Sequence, residues 1–206
     1  MIVNNIKELK DNKYLVTIDD NDYTFDIDVV LKYRLVNGKE IDNKILKEAI
    51  YNNDLSKYYN RTLKYAVRYN KSEKEIYYYL LDLQLNNNDI NKIIERLKEN
   101  SIINDKLLIK SEIDSLVRSY NGKLMIKEKL KNHKFNIDLI NQELELIDEE
   151  LYFECLNKLL IKTQEKYKKE TDDFIRLNKI KRYLYQRGYS NFDIEKVMKW
   201  KKYFIF

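Results

Sequence analysis

Apolar residues recur from residue 76 onward with the same spacing in three successive stretches. Each stretch has two apolar residues four positions apart, a third five positions later and a fourth five positions after that. The second stretch begins 50 residues after the first, and the third begins 54 residues after the second. Repeats of this period are typical of helical units stacked side by side. We predict that these positions form the repeat core: Ile76, Leu80, Leu85, Ile90, Ile126, Leu130, Phe135, Ile140, Ile180, Leu184, Tyr189 and Ile194.

The spacing within one stretch predicts a helix, a tight turn and a second helix. Ile76 and Leu80 are four residues apart, so their side chains share one helix face. The third apolar residue of each stretch is followed by a residue type that caps helix N-termini, namely Asn86, Asn136 or Ser190. We therefore expect the third apolar side chain to fill the corner between the two helices.

A further helix is predicted before each of these helix pairs. Ser72-Glu-Lys-Glu75 has the pattern of a capping box and predicts the start of the helix that carries Ile76. Asn104-Asp105 and Thr171-Asp-Asp173 predict two more helix starts. The leading helices of the three repeats are expected at 57–69, 105–119 and 149–168.

The N-terminal part of the chain has a different pattern. Residues 14–18 and 23–27 are short β-type runs, and the polar residues Asp19-Asp-Asn-Asp22 between them predict a hairpin turn. Ile2 and Val3 are candidates for a third strand. Helices are expected at 29–35 and 42–51.

Together these patterns predict a mainly α fold, an elongated tandem array of three three-helix repeats with a small N-terminal β-hairpin-containing extension. The apolar C-terminal residues Trp200 and Tyr203–Phe206 are expected to fold back onto the last repeat. The predicted division is an α+β extension at 1–56 and repeats at 57–104, 105–148 and 149–206.

Composition excludes several classes of function. The chain has no Pro and only three Gly among 206 residues, which excludes Gly-rich phosphate-binding loops. One His and one Cys, His133 and Cys155, leave no His-pair metal site, no disulfide framework and no visible catalytic constellation. No run approaches the roughly 18 apolar residues of a membrane span or resembles a secretion signal. We expect a cytoplasmic, monomeric protein that is not an enzyme and needs no cofactor.

Positive charge is concentrated in the repeats. Residues 1–56 carry 8 Lys/Arg and 11 Asp/Glu, whereas residues 57–206 carry 31 and 23. A basic helical array fits a polyanionic partner, although a solvated lysine-rich surface has the same composition. Helical spacing predicts these exposed contact candidates: Lys64, Arg68, Lys71, Lys74, Arg118, Lys123, Lys127, Lys131, Lys179, Arg182 and Arg187. For Tyr65 and Tyr69 we predict core packing, with stacking on bases or packing at the interface as the alternatives.

The order of these motifs resembles the RecX family, the bacterial regulators of the RecA recombinase. The first repeat matches through Tyr65-Ala66, Ser72-Glu-Lys-Glu-Ile76 and Ile102-Ile-Asn-Asp105, and the third through Lys181–Ser190. The leader at Asp28–Leu35 is similar to the N-terminal extension of RecX proteins from Gram-positive bacteria. The sequence departs from the pattern at Gln84 and Lys134, which stand where the third repeat has Gly188.

The resemblance implies a non-enzymatic protein that lies in the groove of the RecA–single-stranded-DNA filament. Proteins of this family block filament growth and reduce ATP hydrolysis, strand exchange and LexA cleavage by RecA. Single- or double-stranded DNA is then a possible direct partner, and no membrane is expected to be one. Two other interpretations stay open: a stand-alone helical DNA-binding protein and a helical scaffold for another protein.

Overall fold

The computed structural model describes the backbone of residues 1–202 and side chains as far as Lys199. The expectation for the C-terminal tail, Trp200 and Tyr203–Phe206, lies outside these described side chains. Residues 1–202 contain three strands, β1 (Val3–Glu8), β2 (Lys13–Ile18) and β3 (Asn21–Asp26). They also contain the helices α1 (Ile27–Tyr33), α2 (Asn43–Tyr69), α3 (Glu73–Asp82), α4 (Asn87–Glu99), α5 (Asp105–Arg118), α6 (Lys123–Asn132), α7 (Ile137–Glu145), α8 (Glu149–Lys166), α9 (Asp173–Gln186) and α10 (Asn191–Lys202). The fold is mainly α with a small N-terminal sheet, as predicted.

The three strands form an antiparallel sheet in the order β1-β2-β3. The predicted third strand is present and extends from Val3 to Glu8. The predicted four-residue turn is wrong, because Ile18 pairs with Asn21 and only Asp19 and Asp20 lie between the strands. Two of the polar residues assigned to the turn, Asn21 and Asp22, instead belong to β3 and pair with β2. The exposed side chain of Asp22 accepts a hydrogen bond from the Thr17 hydroxyl at 2.6 Å.

The prediction of separate helices at 42–51 and 57–69 is also wrong, since α2 runs unbroken through both. Polar residues that resemble a break find partners within the fold. The Asn53 side chain accepts from the Asp26 N–H at 2.8 Å and donates to the Thr24 carbonyl at 3.0 Å. Asn52 donates to the Tyr33 hydroxyl at 2.7 Å. These bonds attach the sheet and α1 to the middle of α2, so the predicted boundary at residue 56 falls inside a helix.

The chain divides into two compact units. The first contains Met1–Tyr69 and Tyr79–Ile102, and the second contains Asn70–Tyr78 together with the chain from Ile103 onward. Helix α3 is continuous but contributes residues to both units. In the first unit, one face of the sheet packs with α1 and α2 in a core that includes Val16, Phe25 and Ala49.

The recurring apolar positions lie in the interior, and Leu85 is the least buried of them. Eleven of the twelve are at most 7% exposed, whereas Leu85 is half-buried. The capping residues behave as their types predict. Asn86, Asn136 and Ser190 each accept a hydrogen bond from a backbone N–H two or three residues ahead. The capping box is confirmed, because Ser72 and Glu75 exchange reciprocal side chain-to-backbone bonds of 3.1 and 3.2 Å.

The corner between the paired helices has the same backbone geometry in all three repeats. The residue before the third apolar position has a positive φ, namely 63° at Gln84, 58° at Lys134 and 86° at Gly188. In each case its N–H donates to the carbonyl three residues earlier, at 2.8 to 2.9 Å. A left-handed residue is therefore part of the repeat, and Gln or Lys adopts it at a modest energetic cost.

The third corner needs glycine because another backbone lies against it. A Cβ on Gly188 would overlap Met125 at the start of α6, and a Cβ on Gly122 would overlap the carbonyl of Gly188. The Gly122 N–H donates to the Arg187 carbonyl at 2.8 Å, and the Leu124 N–H donates to the Gly188 carbonyl at 3.1 Å. The α5–α6 connection thus contacts the α9–α10 corner directly, backbone to backbone.

A related contact occurs one repeat earlier, also within the second unit. Ser72 lies 50 residues before Gly122, and His133 lies 54 residues before Arg187. There the Ser72 hydroxyl, which is fully buried, donates to the His133 carbonyl at 2.6 Å. The same junction therefore recurs, with a serine hydroxyl as the donor in one copy and a glycine N–H in the other.

None of the helices within residues 1–202 combines the length and the apolar character that crossing a bilayer requires.

Three Gly→Ala variants should separate backbone strain from close packing. Gly38 has a φ of 80° with nothing within 4 Å of an added Cβ, so Gly38→Ala should cost about 1 kcal/mol of unfolding free energy. Gly122 has a φ of −81° but no room for a Cβ, and Gly122→Ala should cost about 3 kcal/mol. Gly188→Ala combines both effects and should be the most destabilised in urea unfolding. Equal losses of unfolding free energy in Gly38→Ala and Gly122→Ala would contradict the close backbone contact at Gly122.

Candidate functional site

A cluster of tyrosines and arginines lies on the C-terminal half of α2 and against Tyr79 of α3, within the first unit. The rings of Tyr65 and Tyr79 stack with centroids 4.1 Å apart and an interplanar angle of 14°. The Tyr69 ring lies 5.5 Å from that of Tyr65. The Arg61 guanidinium is 5.9 Å from the Tyr79 ring, and that of Arg68 is 5.3 Å from the Tyr69 ring. We call these five residues the tyrosine–arginine patch.

The patch follows from the helical period of α2. Arg61, Tyr65 and Tyr69 are four residues apart, so their side chains lie along one face of the helix. The predicted core packing fits Tyr65, which is half-buried, but it does not fit Tyr69, which is 52% exposed. Sequence reasoning did not select Arg61 or Tyr79. The i, i+4 spacing would have identified Arg61, whereas the stacking of Tyr79 on Tyr65 requires the tertiary structure.

The candidate basic residues separate into two groups by their partners. One group is engaged locally. Lys71 bonds Glu75 at 2.8 Å, Lys131 bonds Glu128 at 2.6 Å and Lys179 bonds Glu170. Lys123 lies over the Tyr152 ring at 5.4 Å, and Arg187 lies 5.8 Å from the Tyr183 ring. The Arg187 guanidinium beside Tyr183 also lowers the pKa of that tyrosine.

The other group makes no ion pair with any residue whose side chain the structure describes. Lys64 and Arg68 of this group are exposed on α2 in the first unit. The second unit contributes four such residues, all exposed except the half-buried Lys127: Lys74, Arg118, Lys127 and Arg182. Six of the eleven candidates thus keep their charge available to an outside partner.

A cluster of charges surrounds the start of α3 in the second unit. Glu75 bonds Lys71, accepts from the Ser72 N–H and lies 3.8 Å from Nδ1 of His133. The pKa of Glu75 lies below its ordinary value of 4.5. Burial of the carboxylate raises the pKa, but the hydrogen bonds from Lys71 and Ser72 and the charges of Lys71 and His133 together outweigh it. This network lies at the same junction as the Ser72–His133 bond.

Burial favours the neutral forms of one cysteine and two tyrosines inside the second unit. Burial raises the pKa of the Cys155 thiol, and it also raises the pKa values of Tyr152 and Tyr189. A thiol with a raised pKa is a poor nucleophile at neutral pH. Among the described side chains, no three of the residue types His, Cys, Asp and Glu are grouped so that they could hold a metal ion.

Comparison with known proteins places the chain in a class of helical regulators. Residues 149–198 match the family model described as RecX, third three-helix domain. The regulatory protein RecX of Clostridium tetani is 26% identical over 200 residues, which cover 95% of this chain and 92% of that protein. The regulatory protein RecX of Clostridium acetobutylicum is 30% identical over 189 residues, covering 87% and 86%.

Solved structures have the same fold. A crystal structure of regulatory protein RecX superposes with a TM-score of 0.78 at 21% identity, covering 96% of this chain and 98% of the other. The RecX structure from Lactobacillus salivarius gives 0.65 at 27% identity, covering 71% and 95%. These similarities define a regulatory protein built from three-helix domains. The chain belongs to the RecX family.

The lowered pKa of Glu75 predicts how stability depends on pH. Because the folded-state pKa lies below the ordinary value of 4.5, the ionised carboxylate stabilises the fold above that pH. Its contribution is lost as the pH falls below 4.5 through the folded-state pKa. Glu75→Gln should therefore lower stability at neutral pH. In a plot of the urea unfolding midpoint against pH, the fall on the acid side (the acid limb) should be less steep for this variant.

The matched control is Glu195→Gln, since Glu195 is exposed and forms no ion pair among the described side chains. It should leave both the midpoint at neutral pH and the acid limb unchanged. An acid limb in Glu75→Gln as steep as in the unmodified protein would show that this network does not contribute to acid unfolding.

Proposed function

We propose that this protein binds the RecA–single-stranded-DNA filament and inhibits the recombinase, ATPase and coprotease activities of RecA. The observation that carries the proposal is family membership across nearly the whole chain, since the alignment with the Clostridium tetani protein covers 95% of it. Both compact units are present in that alignment. A regulator that acts on RecA is what this family resemblance implies for the chain.

The electrostatics of the described residues support a filament as the partner. Six candidate cations form no ion pair with a carboxylate among the described side chains: Lys64 and Arg68 in the first unit, and Lys74, Arg118, Lys127 and Arg182 in the second. An Arg can form two parallel hydrogen bonds with a phosphate or a carboxylate, so Arg68, Arg118 and Arg182 suit both DNA and acidic protein groups. Cations in both units suit a partner that is long and polyanionic.

The tyrosine–arginine patch adds a feature suited to single-stranded DNA. Exposed aromatic rings stack on unpaired bases of any sequence, and adjacent arginines contribute charge and cation–π attraction. The half-exposed Tyr69, with Arg68 beside it, is placed to do both. This patch also supports the second candidate function, direct binding of DNA without RecA.

Single-stranded-DNA-dependent ATP hydrolysis by the cognate RecA should slow when fewer protein molecules than RecA subunits are added. Filament length in electron micrographs should fall in the same titration. If an equimolar amount leaves both the rate and the filament length unchanged, the inhibitor proposal is wrong.

Repeating the titration without RecA, as binding to a labelled oligonucleotide at several salt concentrations, tests the second candidate function, direct binding of DNA. Direct DNA binding should weaken steeply with salt.

The charge reversal Lys64→Glu with Arg68→Glu should raise the concentration needed for half-inhibition about tenfold, because it replaces attraction with repulsion at Arg68 of the patch and at Lys64, one helical turn before it. The matched control is Lys44→Glu with Lys47→Glu, which makes the same charge change at exposed positions nearer the start of α2. Circular dichroism should show both variants folded. Equal inhibition by the two variants would remove the patch from the proposed interface.

A further inference from the structure

A cleft of about 510 Å³ opens among α1, α2 and α4, entirely within the first unit. We call it the α1–α2–α4 cleft. Its cationic groups are Lys32 from α1 and Lys92 and Arg96 from α4, and Asp28 is the one carboxylate in its lining. Asp89 lies just outside the lining, 3.6 Å from Lys92, so three positive charges meet two negative charges and leave an excess of one. None of these residues belongs to the candidates chosen from the sequence.

Each of the three cations contacts an uncharged group, and Lys92 and Arg96 also pair with a carboxylate. Lys32 donates to the Asn52 side chain at 3.2 Å. Lys92 donates to the Tyr51 hydroxyl at 2.9 Å, although Asp89 lies 3.6 Å away. The guanidinium of Arg96 lies 4.1 Å from the Tyr59 ring centroid. Amide, hydroxyl and ring partners help to orient these side chains, and Lys32 has no carboxylate partner among the described side chains.

These contacts use only some of the N–H donors of Lys32, Lys92 and Arg96. An ammonium group has three N–H donors and a guanidinium has five. The ion pair of Arg96 with Asp28 is a single 2.8 Å contact from Nη2. The Ser56 hydroxyl also lines the cleft, is 5% exposed as a residue and forms no hydrogen bond with any described residue. An anion entering the cleft would meet several unused donors.

The rest of the lining is apolar, so the cleft has a cationic side and an apolar side. Leu55, Tyr59 and Ile93 contribute to it, and the ring of Tyr59 is nearly buried. The volume exceeds what a lone phosphate requires and falls in the range of small-molecule sites, roughly 300–1,000 Å³. A ligand that fits both sides has an anionic group next to a flat, largely apolar ring.

We propose that the α1–α2–α4 cleft binds a nucleotide, with its phosphate held by Lys32, Lys92 and Arg96. The base packs against the side formed by Leu55, Tyr59 and Ile93. The nucleotide is either free or one unit of a nucleic-acid strand, and both sources offer the same phosphate chemistry. Asp28 competes with the phosphate for Arg96. The site does not depend on RecA binding, because every lining residue belongs to this chain.

Methyl NMR can test this in the full-length protein, because Leu55 and Ile93 provide methyl probes in the lining. Thymidine monophosphate should shift both signals in a saturable titration, and thymidine, which lacks the phosphate, should bind at least about tenfold more weakly. An oligo-dT strand that binds more tightly than the monophosphate identifies a nucleic-acid strand as the ligand, whereas the reverse identifies a free nucleotide. Equal shifts from thymidine and its monophosphate would overturn the proposal, as would binding of an acidic peptide alone.

Two variants act in opposite directions on this affinity. Lys32→Gln with Lys92→Gln should weaken monophosphate binding at least about tenfold, whereas the control Lys44→Gln with Lys47→Gln loses the same charge outside the cleft and should bind normally. Asp28→Asn should strengthen binding several-fold because it frees Arg96 and removes a repulsive charge. A structural role for these residues alone predicts no gain at Asp28. Unchanged or weaker binding by folded Asp28→Asn would contradict the proposed arrangement.

Discussion

Two backbone segments of the second unit lie against each other because neither residue at the contact, Gly122 or Gly188, has a side chain. The N–H of Gly122 then reaches the carbonyl of Arg187, and the start of α6 is fixed on the α9–α10 corner. The corresponding contact one repeat earlier tolerates a serine, and the Ser72 hydroxyl replaces the N–H as donor to the His133 carbonyl. The left-handed corner residue is common to all three repeats, but glycine is required only where a second backbone approaches. This explains why Lys134 occupies a corner that resembles that of Gly188.

The elements that sequence predicts correctly are those specified by local chemistry. Helix caps such as Asn86 and Asn136, and the Ser72–Glu75 capping box, involve residues at most three apart, so their spacing is sufficient evidence. The break predicted after residue 51 fails because Asn52 and Asn53 satisfy their side chains on Tyr33 and the sheet, partners some 20 to 30 residues away. Such contacts override the local preference of asparagine for turns.

The candidate site could be predicted only in part, and for a similar reason. Helical spacing identifies exposed cations on a single helix, and Lys64, Arg68 and Arg182 are exposed as expected. It does not reveal that Lys179 is paired with Glu170, nine residues earlier and before the start of α9. The α1–α2–α4 cleft cannot be predicted from helical spacing, because its lining comes from three separate helices. Asp28 and Arg96, which meet there, are 68 residues apart in the sequence.

The partners of the cations distinguish a structural role from a binding role. Lys71 and Lys131 are held by carboxylates four and three residues away along the chain, so their charge is largely cancelled and serves the local fold. In the cleft, by contrast, Lys32 is oriented by an amide, which fixes its position without cancelling its charge. Arg96 rests on an aromatic ring and makes only a single contact with the carboxylate of Asp28. The same difference holds for Arg68 beside Tyr69. A protein that selects among anionic partners needs cations of the second kind, because only a charge that the fold leaves uncompensated can contribute to binding.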